Sequence, residues 1–128
     1  MKFINPKIHA FIDYALALAL ALAPMLFDFI GTARILCFAL AASILVLSLL
    51  TRYPLGAIRA IPFKIHGFIE LAAGLFTAAS PWIFNFDDIS LARNLFAGIG
   101  VLVLALFLTT NYEATEHAEE RKEAKGAA

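Results

Sequence analysis

His9 and Asp13 stand four residues apart in an otherwise apolar stretch, and the arrangement returns as His66 and Glu70. Four-residue spacing places both members of a pair on one face of a helix. A histidine beside a carboxylate can hold a shared proton, pass one on, or complete a set of metal ligands. Three readings follow. In the first, a structural clasp, each carboxylate accepts from its own histidine, or from Lys7, Lys64, Arg52 or Arg59 reaching in along the helices. In the second, the four groups form a proton or cation pathway. In the third, His9 and His66 bind a metal or a haem from opposite helices, with Asp13 and Glu70 as further ligands or outer partners. The clasp is the preferred expectation, because a histidine four residues before a carboxylate arises often by chance.

No other group of residues points to chemistry. There is no nucleophile with a base and an oxyanion site, no phosphate-binding glycine loop and no zinc-finger spacing. The expectation is therefore that the chain is not an enzyme and carries no cofactor, and a small-molecule or ion substrate is left open. The single cysteine, Cys37, lies within an apolar run and reads as packing. Formal net charge is zero, which gives no reason to expect a nucleic-acid partner.

The elements that must carry these residues are helices in a bilayer. The chain is 62% hydrophobic and 16% charged, against roughly 25% charged in an average soluble protein. Four apolar stretches run about 8–27, 33–50, 65–84 and 94–109, each close to the roughly 20 residues a membrane span requires. The spacing of like residues shows a repeat. Lys7 through Asp13 matches Lys64 through Glu70 at an offset of 57 residues, which also brings Pro24 onto Pro81 and Asp28 onto Asn85. Past an insertion near Asp87 and Asp88 the offset becomes 59, and Thr51-Arg52-Tyr53 falls on Thr110-Asn111-Tyr112. The expected architecture is all-α: four transmembrane helices in residues 1–112, built as two helical hairpin repeats, about 5–53 and 62–112. With two spans per copy, the repeats are parallel and related by an axis along the membrane normal. At about 1.5 Å per residue, the histidines of both copies lie ~3 Å and the carboxylates ~9 Å past Lys7 and Lys64. If the first and third helices line the axis, all four groups converge.

Lysine and arginine set the orientation. Lys2, Lys7, Arg52, Arg59, Lys64, Arg121, Lys122 and Lys125 fall on one side, and Arg34 and Arg93 on the other. Both termini are expected in the cytoplasm and the protein in the inner (cytoplasmic) membrane, with residues 113–128 a polar, helical cytoplasmic tail. Arg34 and Arg93 begin the second and fourth helices, where pairing with Asp28, Asp87 or Asp88, or with lipid phosphate, would offset their opposition to the helix dipole. Ala21-Leu22-Ala23 imitates a signal-peptidase site, but Pro24 follows it and a near-copy recurs later in the chain, so the first segment is expected to be retained. Small residues at Ala15, Ala19 and Ala23, at Gly67, Gly74 and Ala78, and at Gly98 and Gly100 suit close helix contact within or between protomers. A bundle this thin is compatible with a homo-oligomer, with the lipid bilayer as its other partner.

Ser80-Pro81-Trp82 lies late in the third span. Proline there kinks or ends the helix near residue 80, as Pro24 does near residue 23. Ser80 is placed to satisfy the freed carbonyl of Phe76, or to cap a short new turn beginning at Pro81. Trp82, with Phe27, Phe84 and Phe86, is expected at headgroup depth as an aromatic anchor. A tandem two-helix repeat with Ser-Pro-Trp late in its first helix resembles the SPW-repeat family of small prokaryotic membrane proteins, over about residues 5–112. The first copy departs from the motif, reading Ala23-Pro24-Met25. The resemblance implies a fold and a membrane location but no chemistry. The functional expectation is a structural or accessory membrane module that acts through helix packing.

Overall fold

Asn5 starts the first helix. Its side-chain oxygen accepts from the backbone N–H of Ile8 at 2.9 Å, and Pro6 occupies the first helical position, where no amide proton is required. The computed structural model describes residues 2–127. Five helices follow in order: α1 Pro6–Leu26, α2 Gly31–Leu49, α3 Phe63–Ile83, α4 Ser90–Thr109 and α5 Glu113–Ala127. α1 packs against α2 and α3 against α4, so the chain forms two helical hairpins, with α2 touching α3. The tail is the expected helix, α5, exposed from Glu120 to Gly126.

Three helices, α1, α2 and α4, are long and apolar enough to cross a membrane. The sequence led to an expectation of four. α3 equals α1 in length at 21 residues and carries His66 and Glu70 where α1 carries His9 and Asp13. What lowers its apolar character is Thr77 and Ser80, which stand where α1 has Leu20 and Ala23. His66, Glu70, Thr77 and Ser80 are all buried. Past Lys64 in its first turn, what α3 turns outward is apolar, including Ile65, Phe68, Leu75 and Ile83.

Neither proline ends its helix at once. α1 runs through Pro24 to Leu26, and α3 through Pro81 to Ile83. The termination comes at Asp28 (φ 54) and Asn85 (φ 58), two residues beyond the helices in the left-handed region that Asp and Asn tolerate best. The hydrogen bonds there correspond one to one. Phe27 N–H donates to Ala23 O and Phe84 N–H to Ser80 O, both at 2.9 Å. Phe29 N–H donates to Pro24 O at 3.1 Å and Phe86 N–H to Pro81 O at 2.8 Å. Ser80 Oγ donates to Phe76 O at 2.7 Å, the first of the two roles its position beside Pro81 suggested. Trp82, Phe27 and Phe84 are exposed, while Phe86 is buried. It turns inward and packs edge-on against Phe96 at 5.1 Å.

Arg34 and Arg93 lie in the first turns of α2 and α4, where either a carboxylate or a lipid phosphate was open to them as partner. Among the described residues neither pairs with a carboxylate. Arg93 Nη1 donates to the backbone oxygen of Asp87 at 3.3 Å, and the Arg34 guanidinium lies 5.6 Å from the Phe38 ring centre. Two of the small-residue sites lie at intramolecular contacts. A side chain at Gly74 would meet Val103, and one at Gly100 would meet Ala78 and the Gly74 carbonyl. These glycines bring α3 and α4 together.

At the opposite end, two single parallel backbone bridges tie the hairpins head to tail. Ile4 N–H donates to Thr109 O (3.0 Å) while Asn111 N–H donates to Ile4 O (2.9 Å). Ile61 N–H donates to Leu50 O and Arg52 N–H to Ile61 O, both at 2.8 Å. Offsets of 57 and 59 carry the first bridge onto the second.

Candidate functional site

One turn inside those bridges, α1 presents His9 and Asp13, and α3 presents His66 and Glu70. All four are buried, with 0%, 0%, 1% and 5% of their surface exposed. One ligating atom from each lies within 4.8 Å of those from the other three. The convergence read from the sequence is therefore present.

The pairing differs from the simplest clasp. Each histidine lies closer to the carboxylate of the other hairpin than to its own. His9 Nε2 is 3.0 Å from Glu70 Oε2 and 3.3 Å from Asp13 Oδ1. His66 Nε2 is 3.1 Å from Asp13 Oδ2 and 3.6 Å from Glu70 Oε2. Lys7, Lys64, Arg52 and Arg59 take no part among the described residues. Lys7 and Lys64 point to the exterior, and Arg52 Nε donates to the Arg59 carbonyl at 3.0 Å. The helix geometry explains this, since side chains a turn apart on one helix run side by side while those on facing helices point at each other.

The outer nitrogens of both rings meet threonines that the sequence reading did not connect to the site. His9 Nδ1 lies 2.8 Å from Thr110 Oγ1, and His66 Nδ1 lies 2.7 Å from Thr51 Oγ1. Each hydroxyl donates its only proton to a helix carbonyl, Thr110 to Leu106 O and Thr51 to Leu47 O, both at 2.6 Å. What remains on each threonine oxygen is lone pairs, so Nδ1 of each histidine must be the donor. The tautomer is thereby fixed, and Nε2 of both rings is the atom turned toward the carboxylates.

Two tyrosines border the cluster. Tyr53 Oη donates to Asp13 Oδ2 at 3.2 Å. Burial pushes the Tyr53 phenol pKa above its ordinary value, and the Asp13 charge adds to the effect. Tyr112 is likewise raised, first by burial and then by the nearby Glu70 charge. Both phenols therefore keep their protons. Phe63 packs between them, 4.6 Å from the Tyr112 ring centre and 5.4 Å from that of Tyr53. It also lies edge-on to His9 at 5.0 Å. Gly67 makes room for this layer, because a Cβ there would come within 2.6 Å of the Tyr112 ring. The signal for Thr51, Tyr53, Thr110 and Tyr112 was in the sequence as the repeated Thr-x-Tyr, but nothing in spacing alone linked it to histidines far away in the chain.

On the other side of the cluster, a cavity of about 100 Å³ between α2 and α3 is bordered by His66, Glu70 and Thr77 and otherwise mainly by aliphatic side chains. This is well below the roughly 300–1,000 Å³ of a cofactor pocket, and the two histidines converge on carboxylates rather than flanking a slot. The arrangement does not accommodate a haem. Asp13 Oδ1 and His66 Nε2 make no hydrogen bond of adequate geometry, although His9 Nε2 lies 3.3 Å from the first and Asp13 Oδ2 lies 3.1 Å from the second.

No curated protein and no solved structure matches the chain. The family model of the SPW repeat domain matches residues 7–110, a stretch that holds both His–carboxylate pairs, both threonines and the Ser80-Pro81-Trp82 motif. Together with the apolar helices it points to a membrane protein. The chain belongs to the SPW repeat domain family.

Proposed function

We propose that this is a small four-span membrane protein of the inner (cytoplasmic) membrane, with both termini in the cytoplasm, acting as a structural or accessory module rather than as an enzyme. Its two spans per half are copies of one hairpin, 5–53 and 62–112, followed by the cytoplasmic tail. α3 serves as the fourth span, since its polar groups face inward and its outer face is apolar. The observation that carries the reading is the crossed contact of His9 with Glu70 and of His66 with Asp13. Removing carboxylates and imidazoles from water is costly and is offset only by close pairing. Here the pairing runs between the hairpins, so it favours one mutual arrangement of them. Homo-oligomerisation through outer helix faces belongs to the same proposal.

A proton or cation pathway is the second reading, favoured by the cavity that reaches His66 and Glu70. Against it, the cavity continues along aliphatic residues, and the Thr77 hydroxyl donates back to Ala73 O at 2.7 Å. The test is the double variant Asp13→Asn/Glu70→Gln, which keeps size while removing ionisation. A clasp predicts insertion and assembly with a loss of about 1–3 kcal/mol, and no ion flux in liposomes from either protein. Flux from the wild type that disappears in the variant would replace the clasp with the pathway.

A further inference from the structure

We propose that His9, Asp13, His66 and Glu70 form a binding site for one divalent first-row transition-metal ion. The inference rests on the clasp reading, in that the ion would join the two hairpins through the same four side chains. Its first support is the fixed tautomer. With Nδ1–H of each ring held by a threonine oxygen, a neutral histidine presents the bare lone pair of Nε2 to a carboxylate. Lone pair against anion is repulsive, so each such contact requires either one added proton or a cation between the two atoms. Metal-binding histidines are commonly oriented in this way, the other ring nitrogen being held by a neighbouring oxygen.

The second support is distance. The four crossed and uncrossed Nε2–oxygen separations are 3.0, 3.1, 3.3 and 3.6 Å. Bonds of about 2.0–2.2 Å to nitrogen and oxygen give ligand–ligand edges of about 3.4 Å in a tetrahedron and about 3.0 Å in an octahedron. A charge-assisted hydrogen bond would be nearer 2.7–2.9 Å. The third support is the pair of buried atoms, Asp13 Oδ1 and His66 Nε2, that face the cluster without a hydrogen bond. The fourth is charge. Two carboxylates lie buried with no lysine or arginine on them among the described residues, and one dication balances both. Two imidazoles with two carboxylates suit Zn²⁺, Fe²⁺, Mn²⁺ or Co²⁺ better than Ca²⁺, Mg²⁺ or Cu⁺.

The test uses the full chain without a polyhistidine tag, purified in detergent, stripped with EDTA and titrated with Co²⁺ and then Zn²⁺. The proposal expects one Co²⁺ per chain, visible bands of a ligated ion, and displacement by one equivalent of Zn²⁺. His9→Gln/His66→Gln should abolish the bands. Thr51→Val and Thr110→Val keep all four ligands and should weaken binding about 10–100-fold without changing stoichiometry. X-ray absorption of the Zn²⁺-loaded wild type, which needs no variant to fold, should show nitrogen and oxygen ligands including two imidazoles. A folded, monodisperse wild type that binds no Co²⁺, a sulfur ligand, or bands that survive the double histidine variant would each overturn the metal site. Those outcomes leave the clasp standing, because the clasp is tested separately in metal-free protein by the coupling of His9 to Glu70.

Discussion

His9 Nδ1 and Thr110 Oγ1 lie 2.8 Å apart although 101 residues separate them in the chain. The contact joins the first turn of α1 to the end of α4, and its counterpart, His66 with Thr51 at 2.7 Å, joins α3 to the end of α2. Because each threonine hydroxyl is committed to a carbonyl, its oxygen fixes which ring nitrogen carries the proton. Thr110→Val and Thr51→Val would each leave a buried N–H without its acceptor, at a cost of about 1–3 kcal/mol. Thr110→Ser should restore most of that loss. Thermal unfolding in detergent measures both effects, and equal stability of the Val and Ser variants would remove the threonines from the account.

Much of this architecture was legible in the sequence, for definite reasons. The apolar runs gave all four long helices within a few residues, since backbone self-satisfaction in an apolar solvent leaves few alternatives. The repeat placed both His–carboxylate pairs at one level. What the sequence did not disclose was which partner each histidine takes, because His9 with Asp13 is the local pair while Glu70 lies 61 residues away and is nearer in space. Thr51 and Thr110 were visible as a repeat but lie at helix ends, outside the periodic segments that reveal packing. Phe86 was grouped with Trp82 by its place in the chain, which carried no sign that the left-handed turn at Asn85 aims it at Phe96.

The left-handed positions give a second prediction. Asp28→Asn and Asn85→Gly should be nearly neutral, since each residue tolerates positive φ. Asp28→Val and Asn85→Val force a β-branched residue into that region, at a cost of about 1–3 kcal/mol each. Denaturation midpoints of the four variants check the ranking, and no difference between Val and Gly at residue 85 would contradict the turn geometry.

Glycine substitutions separate close packing from open surface. Gly100→Ala pushes a methyl into Ala78 and the Gly74 carbonyl, and Gly67→Ala meets the Tyr112 ring. Each should lose about 1–3 kcal/mol. Nothing lies within 4 Å of a Cβ at Gly98, so Gly98→Ala should be neutral or gain up to about 1 kcal/mol through helix propensity. Size-exclusion profiles and thermal midpoints of the three variants test this. A Gly98 variant as damaged as Gly100 would indicate that its face is covered by another protomer.

Topology follows from side-specific labelling in intact cells. Single cysteines replacing Lys2 and Glu120 should react only with reagents that reach the cytoplasm, and one replacing Asp88 only with reagents outside. Cys37 is buried and contributes little background. Labelling of residue 88 from the cytoplasm would remove α3 or another helix from the set of spans.

Across the cluster, the histidine of one hairpin is held by the carboxylate of the other. The direct measurement is a double-mutant cycle on metal-free protein in detergent, comparing His9→Gln, Glu70→Gln and the pair. Residues in contact couple by about 0.5–3 kcal/mol, and the 3.0 Å separation of His9 Nε2 from Glu70 Oε2 predicts a value in that range. Additive single effects, with coupling confined to His9 and Asp13, would contradict the crossed clasp.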